Sequence, residues 1–284
     1  MPIDLHTHTN YSDGTLAPNE LIELAIRNNI EVLAVTDHDE VGAIQPTILY
    51  AKNLPIEIVS GVELSIEYKL PGHGHLHILG LFIDNNNEKL IETLSRLKQA
   101  RNNRMKQMVQ KLHHHGCAID IDVLEKKIGQ GSAGRPHLAQ LLVEKGFVTD
   151  ITEAFNKFLL KGRPAYVPKK KLSARAAIDL IHHAGGLAIA AHPFSLGYET
   201  YPEIGREMLK LKSIGLDGLE AYYTNHNTYL TKWLLDFARE NNMLISGGSD
   251  FHGEPKPKIQ LGCGLGNLNI PYSVFENLKK HFKH

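Results

Sequence analysis

Short apolar runs alternate with amphipathic stretches along this chain, and each run ends in or carries a histidine or a carboxylate. Seven such runs cover residues 3–5, 32–35, 56–59, 76–83, 187–191, 218–219 and 243–245. The stretches between them space their apolar residues at helical intervals. They cover residues 18–29, 173–183, 202–213, 228–241 and 272–282. A further stretch, 42–53, is a weaker helix prediction because Pro46 lies inside it. Strand alternating with helix predicts βαβ units and a parallel sheet.

Polar residues at the ends of seven strands indicate a barrel-type α/β fold, in which the chemistry sits on the loops that follow the strands. Residues 90–163 break the pattern, because they contain helical spacings and no strand candidate of the same kind. We therefore expect an all-helical insertion subdomain over 90–163, a length that suits a lid. The barrel domain is then formed by residues 1–89 and 164–284.

The residues at the strand ends are of the types that bind divalent metals. His6 and His8 lie two apart, so in an extended segment both imidazoles point to the same side. The alternative to metal binding for this pair is an exposed strand end. The alternative to metal binding for His192 is a buried structural histidine. His73 and His75 flank a glycine and are expected to be loop residues. The predicted ligands are His6, His8, Asp13, His38, Glu63, His77, His192, Asp250 and His252.

Nine ligands are more than the roughly four to six that coordinate one ion. They suit two or three divalent ions that share a bridging carboxylate. Such a cluster binds phosphate oxygens and lowers the pKa of a bound water toward about 7. The reaction implied is attack of a metal-bound hydroxide on phosphorus.

Other polar residues are expected to support this site. Asp37 precedes His38 and can orient it, although a helix cap is the alternative. Glu220 follows a strand, with His226 close behind, and both suit positioning better than ligation. Arg135 and Arg163 lie in or beside the insertion, and guanidinium groups match phosphate geometry. A solvated surface position remains the alternative for each arginine.

Composition narrows the range of partners. The 284 residues are 42% apolar, and 31 basic side chains balance 31 acidic ones, so no strongly basic field for polynucleotide capture exists across the whole protein.

The two cysteines, Cys117 and Cys263, form no disulfide framework, which favours a reducing cytoplasm. The first run begins at residue 3 and leaves no room for a signal peptide. No apolar run approaches the roughly 18 residues of a membrane span, and no feature indicates an obligate protein partner.

The order of these motifs resembles that of the PHP (polymerase and histidinol phosphatase) family over nearly the whole chain. The matching segments are His6-Thr7-His8, Thr36-Asp37-His38, Gly61-Val62-Glu63, His77, Ala191-His192-Pro193 and Ser249-Asp250-Phe251-His252. The resemblance implies a distorted seven-stranded (β/α) barrel. It also implies a three-metal site formed by the nine residues, usually functional with manganese, with zinc or iron as alternatives. By the same analogy, Arg135 would bind a substrate phosphate.

Within the family the chain is most similar to stand-alone bacterial members that remove the 3'-phosphate from nucleoside 3',5'-bisphosphates. Some of their relatives act as 5'-to-3' exonucleases on short RNA. The expected substrate is therefore a small nucleotide or a short oligoribonucleotide. Histidinol-phosphate phosphatase is the nearest alternative, and the region of Arg135 and Arg163 argues mildly against it. A polymerase-linked module and a non-catalytic metal-binding module are further alternatives. An amidohydrolase-like barrel is another, although that class typically has a strand-end lysine that bridges the metals, and no lysine ends any of the seven runs.

Overall fold

The computed structural model describes residues 2–72, 74–128 and 134–282. The chain divides into two compact units. The barrel unit consists of Met1–Thr93 and Lys171–His284, and the helical unit consists of Leu94–Lys170. The predicted insertion ran over 90–163, so the helical unit begins and ends slightly later than that prediction.

In the described part of the barrel unit, eight strands form one sheet. They are β1 (Ile3–Asp4), β2 (Val32–Val35), β3 (Glu57–Glu67), β4 (Leu76–Leu81), β5 (Leu172–Ser173), β6 (Leu187–Ala190), β7 (Gly218–Tyr223) and β8 (Leu244–Gly248). The strand order is β1-β2-β3-β4-β6-β7-β8, with β5 paired to β3. Beyond β1, the amide of Leu5 donates to the Gly247 carbonyl at 3.1 Å, which brings the two ends of the sheet together. The sheet is therefore a nearly closed barrel, as expected for a distorted (β/α)7 fold.

The expectation of a wholly parallel sheet is wrong at β4, which runs antiparallel to both β3 and β6. The connection from β3 to β4 covers only residues 68–75. A parallel connection needs about a dozen or more residues for its crossover, so this short segment can only reverse the chain. The reversal places the beginning of β4 at the sheet edge where the parallel strands end. His77, the second residue of β4, thereby joins the strand-end residues.

The described residues contain ten α-helices. They are α1 (Pro18–Arg27), α2 (Ile44–Ala51), α3 (Glu88–His114), α4 (Ile121–Ile128), α5 (Arg135–Glu144), α6 (Ile151–Ala154), α7 (Ala174–His183), α8 (Tyr201–Lys212), α9 (Thr228–Glu240) and α10 (Tyr272–Phe282). The helix α2 forms in spite of Pro46 because this proline is its third residue. In the first turn, an amide has no intrahelical acceptor, so the missing N–H costs little.

Each unit has its own apolar core. In the barrel unit, side chains of the strands pack against α10 through Phe275 and Leu278, while α1 packs on β2 through Leu21 and Ile22. In the helical unit, α3, α4, α5 and a π-helical turn (Phe155–Leu159) share a separate buried cluster. Among the described residues, no helix combines the length and the apolar character needed to cross a bilayer.

Candidate metal centre

Glu63 lies in the middle of β3, and its buried carboxylate faces five imidazoles from four chain segments. Its Oε1 atom lies 2.8 Å from Nδ1 of His77 and 3.0 Å from Nε2 of His192. Three further nitrogens lie near Oε2: His6 Nε2 at 3.3 Å, His8 Nε2 at 3.3 Å and His38 Nδ1 at 3.0 Å. The two oxygens of one carboxylate thus face two separate groups of histidines, as a carboxylate that bridges two ions would.

Asp250 follows β8 and divides its contacts in a similar way. Its Oδ1 atom lies 3.2 Å from Nε2 of His8 and 3.3 Å from Nδ1 of His252. On the opposite side, Oδ2 accepts hydrogen bonds from Tyr223 Oη at 3.0 Å and from Lys256 Nζ at 2.6 Å. The hydroxyl and the ammonium group therefore fix the orientation in which Asp250 presents its other oxygen to the histidines.

Asp13 is the most exposed carboxylate of the cluster, with a side chain 48% accessible. It lies 3.3 Å from Nε2 of His252 and 3.8 Å from Nε2 of His38. The loop that carries it is held by Asp37, which accepts from Ser12 Oγ at 2.5 Å and from the amide of Thr9 at 2.8 Å. Asp37 therefore orders a loop and caps no helix.

Glu220 and His226 lie outside the ring of histidine nitrogens. Glu220 is fully buried, accepts from Nδ1 of His6 at 3.1 Å, and accepts from the amide of His192 at 2.8 Å. A carboxylate on the far nitrogen of an imidazole fixes its tautomer and leaves the other nitrogen for an ion. His226 Nδ1 contacts the Ala221 carbonyl at 3.0 Å, and its ring lies 5.1 Å from that of Tyr223. The positioning role of Glu220 and His226 stays a prediction.

The backbone near the cluster is unusual at two of the predicted ligands. His192 has φ of 30° and Asp250 has φ of 58°, in the left-handed region that residues with a Cβ rarely adopt. Strain of about 1–3 kcal/mol for each such residue persists only where the surroundings enforce the conformation, and it concentrates at functional sites.

All nine predicted ligands come together at this edge of the barrel. Among the described residues, four groups have ligand atoms within 4.8 Å of one another: His8, Asp13, His38 and His252; His6, His8 and Asp250; His38, Glu63 and His77; His75, His77 and His192. The overlap between the groups indicates several neighbouring ion positions.

Buried polar atoms without hydrogen-bond partners show that this donor set fits divalent ions. In the described part of the chain they include His6 Nε2, His8 Nε2, His38 Nδ1, Glu63 Oε2 and His192 Nδ1. Such atoms are costly in a protein interior unless a ligand satisfies them. A cation among these lone pairs would satisfy several of them at once. The cluster is therefore a divalent metal site by its geometry and by the chemistry of its donors.

The ionisation of the cluster reflects its crowding. Burial alone would raise the pKa of Glu63, but the imidazoles of His38, His77 and His6 outweigh burial and hold this pKa well below its usual range. Burial opposes a charge on His8 as well, yet the Asp250 and Glu63 carboxylates raise its pKa to about 9. An ion must therefore displace protons from part of the cluster when it binds.

His77 behaves in the opposite way to His8. Burial lowers the pKa of His77 to about 3, even though the Glu63 carboxylate opposes that effect. Its ring is therefore neutral across the physiological range, with a lone pair available to a metal ion.

The predicted ligand set did not include three residues that contact the cluster in the structure. Lys256 and Tyr223 contact Asp250, and no local motif marks them. His75 lies outside any strand, as expected, but its ring belongs to the group with His77 and His192. The signal for His75 was available, because it precedes His77 by two residues, the spacing that paired His6 with His8. His73 lies outside the described residues.

The two predicted phosphate-binding arginines belong to the helical unit. Arg135 is the first residue of α5, and its guanidinium group lies 5.6 Å from the ring centroid of Phe155 and 5.9 Å from that of Tyr166. Arg163 is exposed in a turn after the π-helical segment. The role of both residues in binding phosphate stays a prediction.

Comparison with known proteins identifies relatives that span almost the whole chain. The model of the PHP domain family matches residues 4–184. A 5'-3' exoribonuclease of Haemophilus influenzae is 34% identical over 273 residues, which cover 96% of this chain and 97% of the relative. A 3',5'-nucleoside bisphosphate phosphatase of Chromobacterium violaceum is 33% identical over 253 residues, 88% of this chain and 87% of the relative.

Two solved structures share the fold over the full length. One is described as an amidohydrolase of Chromobacterium violaceum with bound sulfate and no metal; it has 30% identity and a TM-score of 0.78, over 99% of this chain and 96% of that one. The other, a proposed metal-dependent phosphoesterase of Bifidobacterium adolescentis, has 26% identity and a TM-score of 0.80, over 98% and 96%.

Proposed function

This chain belongs to the PHP domain family, and we propose that it is a divalent-metal-dependent phosphoesterase that cleaves the ester at the 3' oxygen of 5'-phosphorylated nucleotides. The proposed substrates are nucleoside 3',5'-bisphosphates, such as adenosine 3',5'-bisphosphate, and short 5'-phosphorylated oligoribonucleotides, cut in the 5'-to-3' direction. One site serves both, because the same bond is broken in each case. The names of the Haemophilus and Chromobacterium relatives support both substrate classes.

The observation that carries the proposal is the Glu63 carboxylate between two groups of imidazoles. In this proposal Glu63 would be shared between ions, and together with the predicted ligands around it would hold two to three of them. Bound divalent ions would polarise the phosphoryl group and acidify a water molecule. The protein's own part is to keep the donors in place: Glu220 orients the His6 ring, while Tyr223 and Lys256 orient Asp250.

The helical unit supports a binding role for the phosphate that is not hydrolysed. The pKa of the Arg104 guanidinium is lowered by burial and by the positive charges of Arg135 and Arg101. Crowded guanidinium groups repel one another, and a doubly charged phosphate would relieve that repulsion while accepting their hydrogen bonds. We therefore assign the 5'-phosphate to Arg135, with Arg163 as a second candidate. A substrate without that phosphate would bind weakly.

Manganese is the proposed metal, because the site includes the carboxylates of Asp13, Glu63 and Asp250 and because the family resemblance favours it. The proposed location is the cytoplasm, which suits two cysteines that remain unpaired.

The test is product analysis with manganese-loaded protein on two substrates, adenosine 3',5'-bisphosphate and a short RNA that carries a 5'-phosphate. Release of inorganic phosphate and AMP from the first substrate supports the phosphatase. Stepwise release of mononucleotides from the RNA supports the exonuclease. Silence on both, with hydrolysis of histidinol phosphate, would refute the proposed substrate class and leave the metal site intact.

Matched variants separate the metal centre from general effects of lost charge. Asp250→Asn removes one proposed ligand charge at constant size and should abolish turnover. Asp236→Asn is the control, since Asp236 forms an exposed ion pair with Arg239, three residues later in the same helix. Full activity of Asp250→Asn with unchanged metal content would contradict the site assignment.

A further inference from the structure

His75 lies just before β4 and directs its imidazole toward two of the predicted ligands. Its ring centroid lies 5.0 Å from that of His77 and 5.5 Å from that of His192. One ring nitrogen from each of the three residues lies within 4.8 Å of the other two. Three imidazoles at such distances can share one ion with small adjustments of their side-chain torsions.

The backbone holds His75 in this place. Its amide donates to the Ser195 carbonyl at 2.9 Å, in the 3₁₀ turn (Pro193–Leu196) that directly follows His192. The residue before it, Gly74, lies so close to this turn that a Cβ would approach the Leu196 carbonyl oxygen to 2.2 Å. Only glycine allows such an approach. The segment that carries His75 is therefore docked on the segment that carries His192.

His192 supplies a second, independent observation. Its Nε2 atom lies 3.0 Å from Glu63, whereas its Nδ1 atom is buried and has no hydrogen-bond partner among the described residues. The side chain of His192 is about 5% exposed, so water does not readily compensate that nitrogen. An unsatisfied buried nitrogen beside two other imidazoles favours a bound cation.

We propose that His75 joins His77 and His192 as a third imidazole ligand, so that one position of the metal cluster is a three-histidine site. Together with Oε1 of Glu63, which lies near His77 and His192, three imidazoles form a nitrogen-rich set of four donors of the kind that zinc binds tetrahedrally. Manganese instead prefers carboxylates and water. This position therefore discriminates in favour of zinc, while the carboxylate-rich positions around Asp13 and Asp250 do not. The inference rests on the metal centre of the proposed function and specifies one of its ions.

The test measures metal binding directly, without turnover. Metal-free protein is titrated with Co²⁺, whose visible absorption reports four-coordinate sites, and Zn²⁺ is then added in competition. We expect His75→Ala to lose the four-coordinate signal and to bind Zn²⁺ at least about 10-fold more weakly at one position. The affinity for Mn²⁺ at the other positions should change little. His183→Ala is the matched control, because His183 is exposed and its ring nitrogen faces the Asp179 carbonyl of its own helix.

A second variant keeps the imidazole and moves it. Gly74→Ala must push the chain away from the Leu196 carbonyl, so it should reproduce the loss of Zn²⁺ affinity. A His75→Ala protein that keeps the wild-type Co²⁺ spectrum and Zn²⁺ affinity overturns the inference alone, provided that His192→Ala impairs binding. If neither His75→Ala nor His192→Ala changes metal binding, the metal centre of the proposed function fails together with the inference.

Discussion

Glu220→Gln is the most informative single change, because it alters the outer contact of one proposed ligand and leaves the ligand in place. Glu220 accepts from His6 Nδ1 at 3.1 Å through Oε1 and from the His192 amide at 2.8 Å through Oε2. Glutamine has nearly the same shape but only one acceptor oxygen, together with an NH2 donor. It therefore cannot satisfy both donors.

Two arrangements are open to the glutamine, and both are unfavourable. If its oxygen accepts from the His192 amide, its NH2 group faces His6 Nδ1 and drives the proton of His6 to Nε2, the nitrogen that faces Glu63. If its oxygen accepts from His6, the NH2 group opposes the His192 amide in a fully buried place. An unmet buried donor costs about 1–3 kcal/mol. This range agrees with the roughly 10- to 100-fold loss of metal affinity that follows removal of such an outer partner.

The assay is equilibrium dialysis of metal-free protein against Mn²⁺, with metal content measured by mass spectrometry. Glu207→Gln is the control, because Glu207 is also a buried carboxylate of the barrel unit, and it bonds Tyr68 and Lys210 instead of the cluster. We expect weaker binding only for Glu220→Gln. Equal dissociation constants for the wild type and Glu220→Gln would refute the positioning role.

Four further predictions follow from the same geometry. Asp37→Asn should loosen the loop that carries Asp13 and lower the affinity for one ion about 10-fold, measurable by the same dialysis. Arg135→Ala should reduce kcat/KM mainly through a higher KM for the bisphosphate, and an unchanged KM would remove it from the site. Gly248→Ala should lower the thermal unfolding midpoint, because the added Cβ would lie 2.2 Å from Cβ of His6. Such overpacking costs about 1–3 kcal/mol, and an unchanged midpoint would contradict this prediction. The pKa of His8 is raised from 6.5 to about 9, so the proton on its ring stabilises the metal-free fold below pH 6.5, and this stabilisation is lost as the pH rises through 9. Because a bound ion must displace that proton, metal affinity should increase with pH over this window, and an indicator dye should detect the protons that binding releases.

Much of the fold was predictable, because strand ends and helical spacings are local signals. The direction of β4 was not, since the apolar run 76–83 reads the same in either orientation. Only the short connection over 68–75 contained the information that the chain must turn back. The prediction of α2 was weakened by Pro46. A proline destabilises the interior of a helix, and the sequence alone did not show that α2 begins two residues before this proline.

The candidate site divides in a similar way. Eight of the nine proposed ligands could be selected because they lie in or shortly after an apolar run, whereas Asp13 was selected from a turn that could fold back over the site; the structure gathers all nine. His75 was assigned to a loop, because nothing local showed that Gly74 docks against the turn after His192. Lys256 contacts Asp250 through a long, flexible side chain from a turn, and such contacts depend on the path of the chain in three dimensions.

The divided carboxylate of Glu63 has a consequence for how the protein responds to metal supply. If the two oxygens of Glu63 hold two ions, as proposed, binding of the two ions is thermodynamically linked, and the factor by which the first ion changes the affinity for the second must equal the reverse factor. The loading curve is then not expected to be a sum of independent isotherms. A chelator that removes one ion would then also change the retention of its neighbour, so we expect the loss of metal from the cluster to depend on the occupancy of both positions.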